Sequence, residues 1–261
     1  MIDLHNDLIT YENLTENEKR RKIEKDLTDG ANVCYALFLG GQNARYLNSF
    51  SWAKSLKNLS IEDIGGIDDF VDILPFSPKF ITLTWNGENQ YGAGAFACGS
   101  LTKKGADIIR LLNENNIALD MSHLNRETFF DAIEIAERVL VSHTCFDAVH
   151  PHKRNITNEQ IRAVIEKNGI IGLTFVRGFL TEKNSASIDD LVKHIDYFCS
   201  KFSFRNLAIG TDFFGTDNGV VGIDDYSDFY KIEDRLKNLG YDKKVVDAIM
   251  CSNAESFLSR K

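Results

Sequence analysis

Residues 117–143 read IALDMSHLNRETFFDAIEIAERVLVSH and decide the fold, because they contain one complete strand–helix–strand unit. The apolar runs Ile117–Met121 and Val139–Ser142 have the length and composition of buried strands. The segment between them places Phe129 and Ile133 on one stripe of an amphipathic helix. A strand, a helix and a second strand in this order predict a βαβ unit of a parallel sheet.

The same alternation of short apolar runs and longer amphipathic segments extends along the whole chain. We predict eight strands, at Ile2–Asp7, Ala31–Phe38, Leu59–Asp63, Phe80–Thr84, Ile117–Met121, Val139–Ser142, Ile170–Phe175 and Leu207–Gly210. The longer helices are predicted at Thr102–Asn115, Asn125–Arg138, Thr157–Gly169, Ser187–Lys201, Asp228–Asn238 and Lys243–Ser259. This order predicts an α/β fold, a single-domain (β/α)8 barrel over residues 1–261, whose second and third units have the least regular connections.

The composition is that of an ordinary globular protein. The chain has 261 residues, of which 43 % are hydrophobic and 26 % are charged, and its formal net charge is -8. An acidic chain without a stripe of Lys and Arg predicts no nucleic-acid partner, and we interpret the basic cluster Lys19–Lys22 as a solvated helix face. Because no apolar stretch approaches ~18 residues, we expect no membrane partner and no secretion signal.

The cysteines argue against a disulfide framework. There are five of them, an odd number, they are far apart, and no CxxC pair is present. Reduced thiols of this kind predict a cytoplasmic location.

Metal-binding side chains lie at the predicted carboxyl ends of five strands, where barrel enzymes carry out their chemistry. His5 and Asp7 are two residues apart on the first strand, so both side chains point to the same side. The other strands contribute, in chain order, Glu62, His123, His143 and Asp212. Imidazole and carboxylate groups at one rim predict a metal site, for which Zn²⁺ fits best and Mn, Co or Fe are alternatives.

Several motifs resemble, in order, those of the renal (membrane) dipeptidase family of metallopeptidases, within the amidohydrolase-like barrels. They are MIDLHNDL at 1–8, LSIED at 59–63, TLTWN at 82–86, LDMSH at 119–123, LVSHT at 140–144, HKRNITNEQI at 152–161 and IGTDFFG at 209–215. The resemblance runs from Asp3 to SNAESFL at 252–258 and therefore covers nearly the whole chain.

The resemblance implies a site for two zinc ions. His5 and Asp7 would bind one ion, His123 and His143 would bind the other, and Glu62 would bridge the pair. Two metal ions ~3.5–4 Å apart can share a hydroxide, lower its pKa toward ~7 and polarise the scissile carbonyl. The resemblance therefore implies hydrolysis of small dipeptides, including those with a D-residue at the second position.

The resemblance also assigns a role to two further residues. Arg154 would bind the terminal carboxylate of the substrate, for which a guanidinium fork is well suited. Asp212 would help to handle the proton and contact the substrate, and we expect it to lie across the barrel mouth from His5 and Asp7.

Two positions depart from the family pattern. Trp85 stands where the family usually has a His that contacts the substrate, and its indole N–H can donate but cannot be protonated. Either Trp85 donates to the substrate in place of that His, or the substrate differs. Asp63 and Ile64 separate Glu62 from the glycine pair that follows the Glu directly in the family, so Asp63 is a rival for the bridging role.

Three functions remain open on these residues. The leading one is a metallodipeptidase, and the second is a metal-dependent hydrolase of another small amide or a lactone, such as an N-acyl amino acid, as Trp85 suggests. The third is a metal-binding regulatory protein with weak turnover, against which the intact Arg154 and Asp212 argue. Relatives are commonly dimers, so a homodimer is an open alternative, although the sequence contains no interface motif.

Overall fold

Eight short parallel strands pair in chain order and close into a barrel, in a computed structural model that describes residues 1–260. The strands are Ile2–Asn6 (β1), Asn32–Phe38 (β2), Leu59–Glu62 (β3), Phe80–Thr82 (β4), Ala118–Asp120 (β5), Val139–Thr144 (β6), Ile170–Leu173 (β7) and Leu207–Ile209 (β8). The barrel closes where Asp3 of β1 pairs with Ile209 of β8. The predicted (β/α)8 barrel is confirmed, and every strand ends within two residues of its predicted bounds.

Helices surround the barrel. They are Glu16–Thr28 (α1), Ala44–Ser49 (α2), Lys103–Glu114 (α3), Arg126–Ile135 (α4), Asn158–Glu166 (α5), Arg177–Leu180 (α6), Ile188–Lys201 (α7), Tyr230–Asn238 (α8), Lys243–Asp247 (α9) and Asn253–Leu258 (α10). As predicted, the second and third connections are irregular, since α2 has six residues and short 3-10 turns link β3 to β4. Within residues 1–260, no helix is both long and apolar enough to cross a bilayer.

Two helix ends differ from their predicted positions because side chains and packing decide them. Helix α4 ends at Ile135 rather than Arg138, since the Asn113 side chain donates to the Ile135 carbonyl and accepts from the Glu137 N–H. Helix α5 ends at Glu166, and it is Asn168 that turns the chain, with a φ of 54°.

Gly169 follows this turn, and packing rather than backbone conformation requires a glycine there. A Cβ at this position would lie 2.6 Å from the Val139 carbonyl oxygen, so the glycine permits close packing on β6.

The basic cluster on α1 is only partly solvated. Helix α1 begins with a capping box in which Thr15 and Glu18 bond each other's backbone N–H groups. One turn further, Lys19 is buried and its ammonium donates to the Ile9 carbonyl over 2.7 Å. The predicted solvated face is therefore wrong for Lys19, which anchors the loop after β1, and correct for Arg20–Lys22.

The C-terminal helix was predicted as one element and contains an irregular turn. A π-helical turn over Ala248–Ser252 joins α9 to α10 without interrupting the helical backbone. Asn253, directly after this turn, donates to the carbonyls of Phe204 and Leu207 over 2.6 and 2.8 Å. The irregular turn thus coincides with the point where the helix is fastened to the start of β8.

The amino-terminal end of the barrel interior is filled by apolar side chains, which leaves the opposite end for polar groups. The strands contribute Ile2, Leu4, Cys34, Phe80, Ala118, Leu140, Ile170 and Ala208, all of them buried. Ala254 and Phe257 of α10 complete this cluster. The interior is therefore a packed core below the rim rather than a pore.

Two glycines shape the interior just below the rim. A Cβ on Gly172 of β7 would lie 1.9 Å from the Ser142 carbonyl oxygen, and a Cβ on Gly210 would lie 1.8 Å from it. The pairing of β6 with β7 is irregular between Val141 and Thr144, where this carbonyl lies. The absence of side chains at both positions lets the Ser142 backbone, next to His143, approach β7 and the end of β8 closely.

We expect Gly172→Ala to destabilise the fold by about 1–3 kcal/mol or more, because backbone atoms cannot make room for the methyl group. Gly178 is the matched control, since a Cβ there has nothing within 4 Å and its α6 backbone suits alanine. Urea unfolding of both variants measures the difference. Equal stability of the two variants would show that β6 moves aside.

Candidate active site

The five predicted metal ligands lie in contact with one another at the carboxyl end of the barrel. His5 Nε2 is 3.3 Å from Asp7 Oδ2 and 3.3 Å from Glu62 Oε2. The other Glu62 oxygen, Oε1, is 2.8 Å from His123 Nε2, which in turn is 2.8 Å from His143 Nε2. The Glu62 carboxylate therefore lies between the two predicted pairs of ligands, with one oxygen toward each.

Several of these atoms lack the hydrogen bonds that burial normally requires. His5 Nε2 and Asp7 Oδ1 are buried without a hydrogen-bond partner, although His5 Nε2 lies near two carboxylates. Ligand atoms of His5, Glu62 and His143 all lie within 4.8 Å of one another, and the same holds for His5, Asp7 and Asp212. Buried acceptor atoms that converge in this way fit metal cations.

Negative charge dominates the side of the site around His5. Burial opposes ionisation of Glu62, but the imidazoles of His123 and His5 outweigh it and hold the pKa of Glu62 below its usual value. Burial would lower the pKa of His5, yet the charges of Asp7 and Glu62 prevail and raise it. These carboxylates therefore stabilise positive charge at His5 Nε2, where a cation would bind.

The other two histidines are held neutral. Burial, followed by the charge of Arg154, lowers the pKa of His123 to about 4. Burial and the nearby cationic groups also hold the pKa of His143 well below its usual value. A metal binds the neutral form of imidazole, so both side chains have the protonation state that a ligand needs.

Neighbouring side chains orient these imidazoles. The Nδ1 atom of His123 lies 3.0 Å from Asn86 Oδ1, and the Nδ1 atom of His143 lies 2.8 Å from Ser142 Oγ. An acceptor at Nδ1 keeps the proton there and leaves the Nε2 lone pair free for a metal. Ser142 Oγ also lies 3.2 Å from Ser122 Oγ. Sequence reasoning missed these partners. For the serines a signal was available, since a Ser directly precedes the His both after β5 and within β6.

Left-handed backbone occurs where three strands reach the site. Asp63, His123 and Asp212 have φ values of 57°, 71° and 65°. This conformation is uncommon for residues other than glycine and is often found at functional sites. Asp63 accepts hydrogen bonds from the Gly65 N–H and from Asn89, so its side chain is engaged there. Glu62, rather than its rival Asp63, contacts the histidines.

Asp212 lies beside His5 and Asp7, so the expectation that it lies across the mouth from them was wrong. The last strand of a closed barrel neighbours the first, and the Asp212 N–H donates to the His5 carbonyl over 3.1 Å. Burial, together with the charge of Asp7, raises the pKa of the Asp212 carboxyl. A Cβ on Gly215 would lie 2.1 Å from Asp212 Oδ1 and 2.3 Å from Asp7 Oδ2, so this glycine makes room for both carboxylates.

Asp3 has a structural role, as its position at the start of β1 suggests. Its buried carboxylate accepts hydrogen bonds from the Thr211 hydroxyl over 2.6 Å and from the Tyr226 hydroxyl over 2.7 Å. Tyr226 in turn accepts from the Asn6 side chain. Asp3 thus fastens the segment on either side of Asp212 to β1.

Arg154 brings a buried positive charge to the rim. Its Nη2 atom lies 2.8 Å from His143 Nε2, and its guanidinium carbon lies 5.4 Å from the centre of the Phe179 ring. Only 5 % of the residue is exposed, and no carboxylate of the described residues lies within 4.0 Å of its guanidinium. A buried cation without a counterion is costly, so the site favours an anionic ligand here.

Trp85 and Arg154 line the same cavity, which has a volume of about 640 Å³ and opens above the metal ligands. The Trp85 ring centre is 6.2 Å from that of His123 and 5.5 Å from that of Phe38. Trp85 is 46 % exposed, a large fraction for a tryptophan. The structure thus brings all eight predicted site residues to one end of the barrel.

Residues 77–258, more than half of the chain, match the sequence model of the membrane dipeptidase family, peptidase family M19. The chain belongs to this family. It is 30 % identical over 213 residues to an uncharacterized protein in the pqqA 5' region of Klebsiella pneumoniae, and the match covers 74 % of this chain and 77 % of that protein. The resemblance noted in the motifs is confirmed, and the chain is a metallopeptidase-family hydrolase of dipeptides.

Two further proteins are similar. Dipeptidase tcpJ of Claviceps purpurea is 26 % identical over 182 residues, which are 67 % of this chain and 43 % of that protein. The chain therefore spans less than half the length of that relative. A metallo peptidase from Rhodobacter sphaeroides, liganded with a phosphinate mimic of the dipeptide L-Ala-D-Ala, superposes with a TM-score of 0.84. At 19 % identity over 99 % of this chain and 98 % of that one, this likeness shows the shared fold.

We expect Asn86→Ala to weaken metal binding by about 10–100-fold at the position held by His123, because the imidazole loses the acceptor that fixes its tautomer. Competition with a chromophoric chelator measures the affinity. Asn48→Ala, an exposed position on α2, is the control and should bind metal as the parent chain does. Unchanged affinity in both variants would show that Asn86 does not orient His123.

Proposed function

We propose that this chain, as one catalytic domain over residues 1–261, is a zinc-dependent dipeptidase with two metal ions. The observation that carries the proposal is the Glu62 carboxylate, whose two oxygens face His5 at 3.3 Å and His123 at 2.8 Å. A carboxylate between two sets of imidazole and acidic ligands suits a pair of metal ions. Mn, Co and Fe are alternatives to zinc with the same ligands. A cytoplasmic location is part of this proposal.

The ligands divide into two groups with Glu62 shared between them. His5 and Asp7, which are in contact, would hold one ion, and His123 and His143, which are also in contact, would hold the other. When bound, such ions polarise the scissile carbonyl and lower the pKa of a water molecule. The barrel wall contributes rigidity, because each ligand is at or just beyond a strand end and all but Asp7 are almost fully buried.

Two side chains outside the ligand set act on the substrate. The Arg154 guanidinium binds the terminal carboxylate, which supplies the counterion that this buried cation lacks. The Asp212 carboxylate takes the proton that the attacking water loses and returns it to the leaving amine nitrogen. Burial and Asp7 raise the pKa of Asp212, and a raised pKa makes the carboxylate a stronger base.

The substrates we propose are small dipeptides, including those with a D-residue at the second position. The R. sphaeroides metallo peptidase, which shares this fold over 99 % of the chain, is liganded with a mimic of L-Ala-D-Ala. N-acyl amino acids form the second candidate class. They present the same carboxylate to Arg154, and Trp85 offers an indole N–H and an apolar face rather than an ionisable group to the remainder of the molecule.

We expect metal-free protein titrated with zinc to bind close to two equivalents, since the ligands form two groups. Glu62→Gln should lower the stoichiometry or the affinity of both ions, because it removes the shared charge. Elemental analysis after removal of free metal measures the outcome. A plateau at one equivalent that Glu62→Gln leaves unchanged would contradict the bridged pair.

We expect Arg154→Gln to raise KM for free dipeptides by roughly 10–100-fold, because a charge-assisted hydrogen bond contributes about 1.5–3 kcal/mol. For dipeptides amidated at the C-terminus, which lack the carboxylate, the KM of the same variant should be close to that of the parent chain. Arg45→Gln, on the exposed surface of α2, is the control. An equal increase in KM for free and for amidated dipeptides would indicate a structural role for Arg154.

We expect Asp212→Asn to retain metal while kcat falls by about 10²–10⁴, the usual loss when a general acid–base group is removed. The amide keeps the shape of the side chain but cannot accept the proton. Metal content and kcat are measured on the same preparation. Loss of metal would indicate that Asp212 is a ligand instead, as its position near His5 and Asp7 allows. An unchanged kcat would show that another group transfers the proton.

A further inference from the structure

We propose that Phe38 and Trp85 form the binding pocket for the side chain of the N-terminal residue of the substrate. The enzyme then prefers dipeptides that begin with a bulky apolar or aromatic residue. This inference rests on the proposed dipeptidase function and adds the substrate class to it.

The order of residues around the rim sets the direction of the substrate. Arg154 contacts His143, His143 contacts His123, and the Trp85 ring centre is 6.2 Å from that of His123. Trp85 follows β4 and Arg154 follows β6, so β5, which His123 follows, lies between them in the strand order around the rim. A dipeptide whose carboxylate binds Arg154 has its only peptide bond over the two histidines. Its first residue is therefore directed toward Trp85.

The surface at that end of the cavity is aromatic and open. The Phe38 and Trp85 rings meet edge to face with their centres 5.5 Å apart, and both line the cavity. Trp85 remains 46 % exposed, so a ligand can cover much of its surface. Such rings bind apolar and aromatic groups through buried area and through edge-to-face contact.

The Trp85 backbone and the Phe38 ring pack against neighbouring loops, although Trp85 is exposed and Phe38 is only half-buried. A Cβ on Gly94 would lie 2.0 Å from the Trp85 carbonyl oxygen, so the neighbouring loop packs directly on the Trp85 backbone. A Cβ on Gly40 would lie 3.2 Å from the Phe38 ring, and Gly40 has a φ of 56° that other residues rarely adopt. A pocket that is formed before binding loses little entropy when it is filled.

The charges of the cavity exclude acidic side chains from this end. Arg154 is the one Lys or Arg among the described residues that line the cavity, and it is engaged by the substrate carboxylate. The acidic lining residues are Asp7, Glu12, Glu62 and Asp212. A Glu or Asp side chain at the first position would find no free Lys or Arg in a cavity that these four acidic residues line.

A second aromatic pair provides a rival location. The rings of Tyr11 and Phe214 lie 5.3 Å apart and also line the cavity, on the side of Asp7. The ammonium of Lys22 lies 5.3 Å from the Phe214 ring centre, so one face of this ring is already occupied. The Phe38–Trp85 pair has no such occupant among the described residues and is the better surface for a ligand.

The test uses the zinc-loaded full chain and the substrates Phe-Ala, Leu-Ala, Gly-Ala and Glu-Ala. We expect kcat/KM for Phe-Ala and Leu-Ala to exceed that for Gly-Ala by about tenfold or more, with Glu-Ala the poorest. In Trp85→Ala the ratio of Phe-Ala to Gly-Ala should fall toward one, and Trp85→Phe should restore part of it. Phe130→Ala, an exposed aromatic outside the cavity, should keep the parental ratio.

The outcomes separate this inference from the function on which it rests. If no dipeptide is hydrolysed by the metal-loaded chain, the proposed dipeptidase function is wrong. If all four dipeptides are hydrolysed with equal kcat/KM, the function holds and the pocket is refuted. A preference that survives in Trp85→Ala and disappears in Phe214→Ala would also refute it, because the side chain would then bind the Tyr11–Phe214 pair.

Discussion

The closure of the barrel depends on the buried carboxylate of Asp3. Strands β1 and β8 share one pair of facing residues, Asp3 and Ile209, and just beyond the strands Asn6 pairs with Phe213. Asp3 adds side-chain contacts to this backbone pairing, because it accepts hydrogen bonds from both the backbone and the hydroxyl of Thr211 and from the hydroxyl of Tyr226. Because these bonds hold the two ends of the sheet together, they also bring Asp212 next to the ligands of β1. The active site is thus assembled by the same contacts that complete the fold.

The rim of the barrel concentrates charges that would not be stable there without compensation. Glu62 is almost fully buried, yet its contacts with His5 and His123 hold its pKa below its usual value. Arg154 is buried beside His143, and no carboxylate of the described residues lies within 4.0 Å of its guanidinium. A folded chain tolerates such an arrangement when bound ions and substrate supply the missing charges. These buried charges would therefore favour the binding of metal ions and of an anionic ligand.

The sequence was sufficient for the barrel and for the identity of the residues at its rim, because strand ends are local features. It was not sufficient where contacts between distant segments decide the outcome. The position of Asp212 beside His5 follows from closure of the sheet, and the end of α4 follows from a side chain on α3. The orienting role of Asn86 was equally hidden, since it depends on a loop folding back against β5. The sequence also did not show that the Lys19 ammonium donates to the Ile9 carbonyl rather than to water.

Phe257 has a consequence for how this chain is made in the cell. The side chain that seals the amino-terminal end of the barrel interior comes from α10, while its partners Ile2 and Leu4 come from the first strand. The ribosome synthesises β1 long before α10. The apolar side chains of β1 therefore remain exposed until α10 has been synthesised and can pack against them. Contacts of such long sequence separation slow folding and prolong the exposure of aggregation-prone surface. Nascent chains of this barrel should therefore depend on chaperones until synthesis has passed Phe257.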